Sequence, residues 1–164
     1  MLSDTQKQAL EQQVETCYNQ AECFFDRPFT RPAIQFNQRG KIAGSAHLQK
    51  QLLKFNPVLY QENQASFLLD VVPHEVSHLL VYQLHGAHVP PHGQEWQFIM
   101  TQVMKRPAHR THQYDISSVA GKTFLYQCQC QQHRLSIRRH NRVTKGTQYL
   151  CTQCKTPLQK TAEQ

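Results

Sequence analysis

The segment VVPHEVSHLLV places two histidines four residues apart, with a glutamate directly after the first. Its apolar residues predict a helix, and on a helix positions i and i+4 project from the same face. His74 and His78 can therefore bind one Zn²⁺ through their two imidazoles. Glu75 then lies beside the metal and can take a proton from a water molecule whose pKa the metal lowers to about 7. This pattern predicts a hydrolytic zinc site.

Two histidines leave a catalytic zinc ion one protein ligand short, and His92 and Glu95 are the candidates for the third. His92 begins a helix predicted over about residues 92–104, and its spacing to the apolar residues places it on the inward stripe. Glu95 falls about 60° from that stripe. The sequence therefore predicts His92 as the third ligand. His85 and His88 fit a loop better than a metal site, and from that loop they can flank the substrate.

Apolar residues recur at spacings of three and four in residues 4–24 and 66–84, which predicts two helices. The second begins either at Asp70 or near Ser66, with a bend at Pro73. Between the two helices, Gly and Asn punctuation predicts a small antiparallel sheet. Its three strands are expected at Ala33–Phe36, Ala43–Leu48 and Lys54–Tyr60. Because a proline suits an edge strand, a substrate chain is expected to pair along the third strand.

A second metal-binding pattern lies near the C-terminal end of the chain, where two cysteine pairs are separated by twenty residues. Such pairs are typical of a zinc ribbon, in which two knuckles build a tetrahedral Cys₄ site. The predicted ligands are Cys128, Cys130, Cys151 and Cys154. The first pair is one residue shorter than the usual knuckle, so a Cys₃His site that uses His133 and leaves Cys128 spare is the alternative.

The net charge of +7 is unevenly distributed along the chain. Residues 1–104 hold 7 Lys and Arg against 9 Asp and Glu, whereas residues 105–164 hold 11 against 2. Between the cysteine pairs, alternating basic residues are expected to share one face of a strand. They are Arg134, Arg138, Arg139, Arg142 and Lys145. With two tyrosines nearby, this composition favours phosphate contacts and base stacking, and therefore single-stranded DNA as a partner.

No run of roughly 18 apolar residues exists, so the sequence predicts no membrane span. The first twenty residues lack the apolar stretch of a secretory signal, which indicates a cytoplasmic protein. In that compartment the six cysteines are expected to bind metal or stay reduced rather than to form disulfides.

Taken together, VVPHEVSHLL, the following PHGQEW and the cysteine-paired segment with RRHNRV resemble the bacterial SprT family. That family is related to the Spartan and Wss-type DNA-dependent metalloproteases. The resemblance implies a zincin-like peptidase fold, in which Glu75 matches the catalytic residue. His74, His78 and His92 match the three zinc ligands. Since the eukaryotic relatives cut proteins attached to DNA, the resemblance also implies DNA-associated substrates in a stress or DNA-damage response.

We therefore predict an α+β chain in which a zincin-like metallopeptidase domain, with helices packed on a small antiparallel sheet, spans residues 1–115. A small β zinc ribbon follows over residues 120–160. The cofactors are two zinc ions, one catalytic and one structural, and the activity is hydrolysis of peptide bonds in a protein substrate. The alternative is a nucleic-acid-binding zinc-ribbon protein whose peptidase centre is vestigial or gated.

Overall fold

The computed structural model describes residues 1–161 of the 164-residue chain. It divides into two compact units, the first spanning Met1–Val119 and the second beginning at Ala120.

The first unit opens with helix α1, Asp4–Phe25. Ser3 caps it, because its hydroxyl accepts a hydrogen bond from the backbone of Gln6 while the Gln6 side chain accepts one from the Ser3 backbone. Asp26 ends the helix in the left-handed conformation, with φ at 51°. The apolar stripe predicted from the sequence is the buried face, formed by Leu10, Val14, Cys17, Tyr18 and Ala21.

A three-stranded sheet follows, built from β1, Ala33–Gln35, β2, Gly44–His47, and β3, Leu52–Phe55. The strand order is β1–β3–β2. Strand β2 runs antiparallel to β3, as predicted, but β1 runs parallel to it. The eight residues between β1 and β2 carry the chain past the position that β3 occupies. Strand β3 therefore lies in the centre of the sheet, and β2 lies at an edge.

The predicted strand over Lys54–Tyr60 is wrong in its second half. Strand β3 ends at Phe55, and the Asn56 side chain accepts hydrogen bonds from the Val58 and Leu59 backbone N–H groups at 3.1 and 3.4 Å. Asn56 thereby caps a short helix, α2, Pro57–Glu62. The Asn56-Pro57 pair therefore starts a helix and does not belong to an edge strand. Because β3 is central, it cannot pair with a substrate.

Residues 64–85 form one continuous helical run that carries the His-Glu-x-x-His motif. It consists of α3, Gln64–Ser66, a π-helical segment, Phe67–Val71, and α4, Val72–His85. Of the two predicted helix starts, Asp70 and the region near Ser66, the structure supports the second. The wider π-helical turn lies just before Pro73. Gly86, with φ at 72°, ends the run.

The last helical elements of the first unit are α5, Gln94–Phe98, and a second π segment, Ile99–Val103. The core of the unit lies between α1, α4 and the inner face of the sheet, where Leu53, Phe55 and Trp96 are fully buried. Helix α4 thus packs against the sheet with its motif beside strand β2.

The second unit is a small antiparallel sheet with one helix. Its elements are β4, Thr123–Gln127, β5, Gln132–Ser136, α6, Ile137–Thr144, and β6, Gln159–Lys160. The strand order is β5–β4–β6. The prediction that the basic residues share one strand face is wrong, because β5 ends at Ser136. The Ser136 hydroxyl accepts a hydrogen bond from the Arg139 backbone and caps α6, which carries most of them.

The predicted fold class, α+β with a C-terminal zinc ribbon, is confirmed. Within the described residues, no helix has the length and apolar character needed to cross a membrane.

Candidate metal centres

Three histidines of the first unit meet at one point. His74 and His78 lie one turn apart on α4, and His92 lies just before Gly93, which caps α5. The Nε2 atom of His74 is 3.2 Å from that of His78 and 3.2 Å from that of His92. A tetrahedral zinc ion with Zn–N bonds of about 2.0–2.1 Å separates its nitrogens by about 3.3–3.4 Å. The three donors therefore fit one zinc ion.

Burial keeps these imidazoles in the neutral form that a metal requires. It lowers the pKa of His74 to about 4 and that of His78 to about 3, and the pKa of His92 is also lowered. Contacts with the backbones of His109 and Pro91 act in the opposite direction and raise the pKa of His74 and His78, respectively.

Trp96 forms the floor beneath the three imidazoles. Its ring centroid lies 4.8 Å from those of His74 and His92 and 5.6 Å from that of His78. Its indole N–H donates to the His74 carbonyl oxygen at 3.3 Å, and the side chain is fully buried. Trp96 lies at helical spacing from His92, on the inward stripe predicted from the sequence. Its contact with all three rings was not predictable, because the packing of α5 against α4 is a tertiary contact.

Glu75 faces strand β2 and is only 8% exposed. Burial raises the pKa of its carboxyl group to about 8, and a hydrogen bond from the Ala46 backbone acts in the opposite direction. The Gly44 Cα lies directly against the Glu75 side chain, because a Cβ built there would be 2.7 Å from Glu75 Cγ. A buried carboxyl group on the helix that carries two of the three converging imidazoles is a candidate proton acceptor.

Strand β2 offers a free edge next to this carboxylate. The Asn56 N–H bonds to the Ala43 carbonyl at 2.8 Å, and bonding alternates along an antiparallel pair. The backbone groups of Gly44 and Ala46 therefore point away from β3. An extended peptide can pair with this edge.

Four cysteines of the second unit form the other cluster. All their sulfur atoms lie within 4.8 Å of one another, and they belong to Cys128, Cys130, Cys151 and Cys154. The Cys130 and Cys151 sulfurs are 3.7 Å apart, close to the roughly 3.8 Å between the sulfurs of a tetrahedral zinc site. Hence the structure brings together the Cys₄ set. His133 Nε2 lies 3.3 Å from the Cys128 sulfur, beside the cluster.

The backbone around the second cysteine pair stabilises thiolates. Hydrogen bonds from the Cys154 and Gln153 backbones lower the pKa of Cys151 to about 5, and those from Thr156 lower the pKa of Cys154 to about 7. Hydrogen bonding to Cys128 and other neighbouring thiols raises the pKa of Cys130 to about 12. A divalent metal ion removes this conflict, since it neutralises several thiolates at once.

The predicted DNA-contacting residues lie on different elements of the second unit. Arg134 is on β5, Arg138, Arg139 and Arg142 are on α6, and Lys145 caps that helix. All five are exposed, and residues 120–161 contain no Asp or Glu. The Arg139 guanidinium lies 5.8 Å from the centre of the Tyr149 ring. The described residues of the unit, 120–161, thus present positive charge without an acidic side chain among them, next to an aromatic ring.

Three candidates from the sequence lie outside these clusters. Among the described residues, the candidate metal-binding group of the first unit contains His92 but not Glu95, His85 or His88. Glu95 is half-buried near Gly93. His88 is an exposed loop residue, as predicted, but His85 is the exposed last residue of α4 and does not belong to the loop.

Two family models match the chain. The SprT-like family matches residues 14–118, and the SprT-like zinc ribbon domain matches residues 122–162. Protein SprT of Shewanella oneidensis is 53% identical over 154 residues, which cover 93% of this chain and 97% of the relative. Protein SprT of Yersinia pestis is 49% identical over 156 residues, covering 92% and 91%. No solved structure matches the chain.

We expect the Cys151→Ser variant to lose one zinc ion per chain and to unfold the second unit. The buried apolar side chains described there are only Tyr126, Leu135 and Cys151, a core too small to fold without metal. Zinc analysis and amide hydrogen exchange measure the two effects. Cys23→Ser, at an exposed cysteine of α1, is the control. Unchanged zinc content and exchange in Cys151→Ser would contradict the structural role of this site.

Proposed function

Because the chain belongs to the SprT-like family, we propose that it is a zinc-dependent metallopeptidase that hydrolyses peptide bonds. The observation that carries the proposal is the convergence of three neutral imidazoles, two of them on the same helix as the buried Glu75. The ligands of the catalytic zinc are His74, His78 and His92.

Zinc, when bound, polarises the scissile carbonyl and acidifies water. Glu75 accepts the proton of the attacking water and returns it to the leaving amine. Burial raises the pKa of this carboxyl group above its ordinary value, which favours uptake of the proton. Trp96 and the backbone contacts keep the imidazoles oriented throughout.

The substrate lies extended along the free edge of β2. This edge takes the place of the segment Lys54–Tyr60, because β3 is paired on both sides. The backbone groups of Gly44 and Ala46 bind the peptide main chain, which favours backbone recognition over side-chain sequence. The scissile bond is then held next to Glu75.

The positively charged second unit binds nucleic acid, with single-stranded DNA as the expected partner. The supporting observations are the five exposed basic residues, the absence of Asp and Glu from residues 120–161, and Tyr149 beside Arg139. Such binding would concentrate the enzyme on DNA-associated proteins during a stress or DNA-damage response. A cytoplasmic, reducing compartment keeps the cysteine ligands as thiolates.

A nucleic-acid-binding protein with a gated peptidase centre is the second candidate. The observation that favours it is the 8% exposure of Glu75 beneath β2, which restricts access of water and substrate. In that case DNA binding persists in full when Glu75 is substituted, and no cleavage depends on this residue.

We expect Glu75→Gln to retain its zinc but to lose hydrolysis by a factor of about 10²–10⁴. Glutamine keeps the size and polarity of the side chain, but it does not accept a proton. The assay is cleavage of a mixture of DNA-binding proteins, with and without single-stranded DNA. Glu95→Gln is the control and should cleave like the parent. Equal cleavage by Glu75→Gln and the parent would show that Glu75 is not the proton acceptor.

Binding of the full chain to single-stranded DNA should weaken with salt. Five phosphate contacts at about −0.7 each give a log–log slope of roughly −3 to −4. Replacing Arg138 and Arg139 together with Ala should flatten this slope by about 1.4 and weaken all sequences alike. The same charge change at Arg39 and Lys41 of the first unit is the control. If both double variants change the slope equally, the second unit is not the DNA anchor.

A further inference from the structure

Gly44 of strand β2 has no side chain at the point where Glu75 passes. A Cβ at this position would lie 2.7 Å from Glu75 Cγ, 3.0 Å from its Oε1 and 3.1 Å from Val71 Cγ1. In real proteins, a Cβ atom essentially never lies closer than 3.0 Å to a non-bonded heavy atom. The backbone of Gly44 does not have a positive φ, unlike that of Gly40. Glycine is therefore needed for space and not for backbone conformation.

Ala46 occupies the next inward position of the strand. Residues 44 and 46 share one face of β2, while the Ser45 side chain points to the other face and bonds to Gln38. The strand register leaves the Ala46 N–H unused by β3. The Ala46 backbone acts on the Glu75 carboxyl group by lowering its pKa against the effect of burial.

We propose that Gly44 is the positioning residue of Glu75, so that β2 fixes the proton acceptor as well as offering an edge to the substrate. The missing side chain of Gly44 leaves room for the Glu75 methylene. The catalytic consequence rests on the proposed function, in which Glu75 moves the proton.

The clash at Gly44 cannot be relieved by the flexible end of Glu75 alone. The atom approached most closely is Cγ, whose position depends on the first side-chain torsion, and few values of that torsion are allowed on a helix. Val71 closes the other side of the space. A methyl group at residue 44 must therefore displace the carboxylate or push β2 away from α4.

The first measurement is the kinetics of zinc-loaded, full-length Gly44→Ala on the protein that the parent cleaves from the DNA-binding mixture. We expect kcat to fall by about 10²-fold, as for a misplacement of roughly 1 Å, with zinc content unchanged and KM changed far less than kcat. Ser45→Ala, on the opposite face of the same strand, should retain the parent kcat. Parent-like kcat in Gly44→Ala would overturn the positioning role.

The second measurement needs no activity. Introduced into the parent chain, Gly44→Ala should lower the melting temperature of the zinc-loaded protein. Introduced into the Glu75→Ala variant, which lacks the Cγ and the carboxylate, it should have a much smaller effect. Equal losses in the two backgrounds would overturn the proposed contact. If the parent itself cleaves nothing, the proposed function fails, and this coupling alone decides whether Gly44 positions Glu75.

Discussion

The first unit depends on holding three uncharged, half-buried imidazoles together, with the Nε2 atom of His74 3.2 Å from those of both His78 and His92. Without a shared ion, such a cluster costs free energy of folding, because each ring loses hydration. Its Nε2 atom also faces other imidazole nitrogens in place of water. The fold supports the cluster with one helical turn of α4, the start of α5 and the Trp96 ring between them. The large buried core of this unit keeps that arrangement without help from metal.

The second unit has a much smaller hydrophobic core than the first. Its described core contains few buried side chains, and four sulfur atoms occupy the centre instead. Metal binding and folding are therefore expected to be the same event there, whereas in the first unit the fold precedes the metal. The same small unit exposes all its basic residues, since none is needed for the core.

Local patterns predicted the parts of the structure that local physics controls. The family resemblance and the α+β class are confirmed, and helix α1 follows its apolar spacing closely. The errors lie where tertiary context decides. Asn56 ends a strand by capping a helix, and Ser136 does the same in the second unit. The closeness of Gly44 to Glu75 depends on strand order, which no spacing in the sequence encodes.

X-ray absorption at the zinc edge of the full chain, together with zinc analysis, tests the account most directly. The account predicts two zinc ions per chain and a mixed shell of nitrogen at about 2.0–2.1 Å and sulfur at about 2.3 Å. His74→Ala should leave one ion in a shell of sulfur alone. A single zinc ion with only sulfur ligands in the parent chain would contradict the proposed catalytic centre.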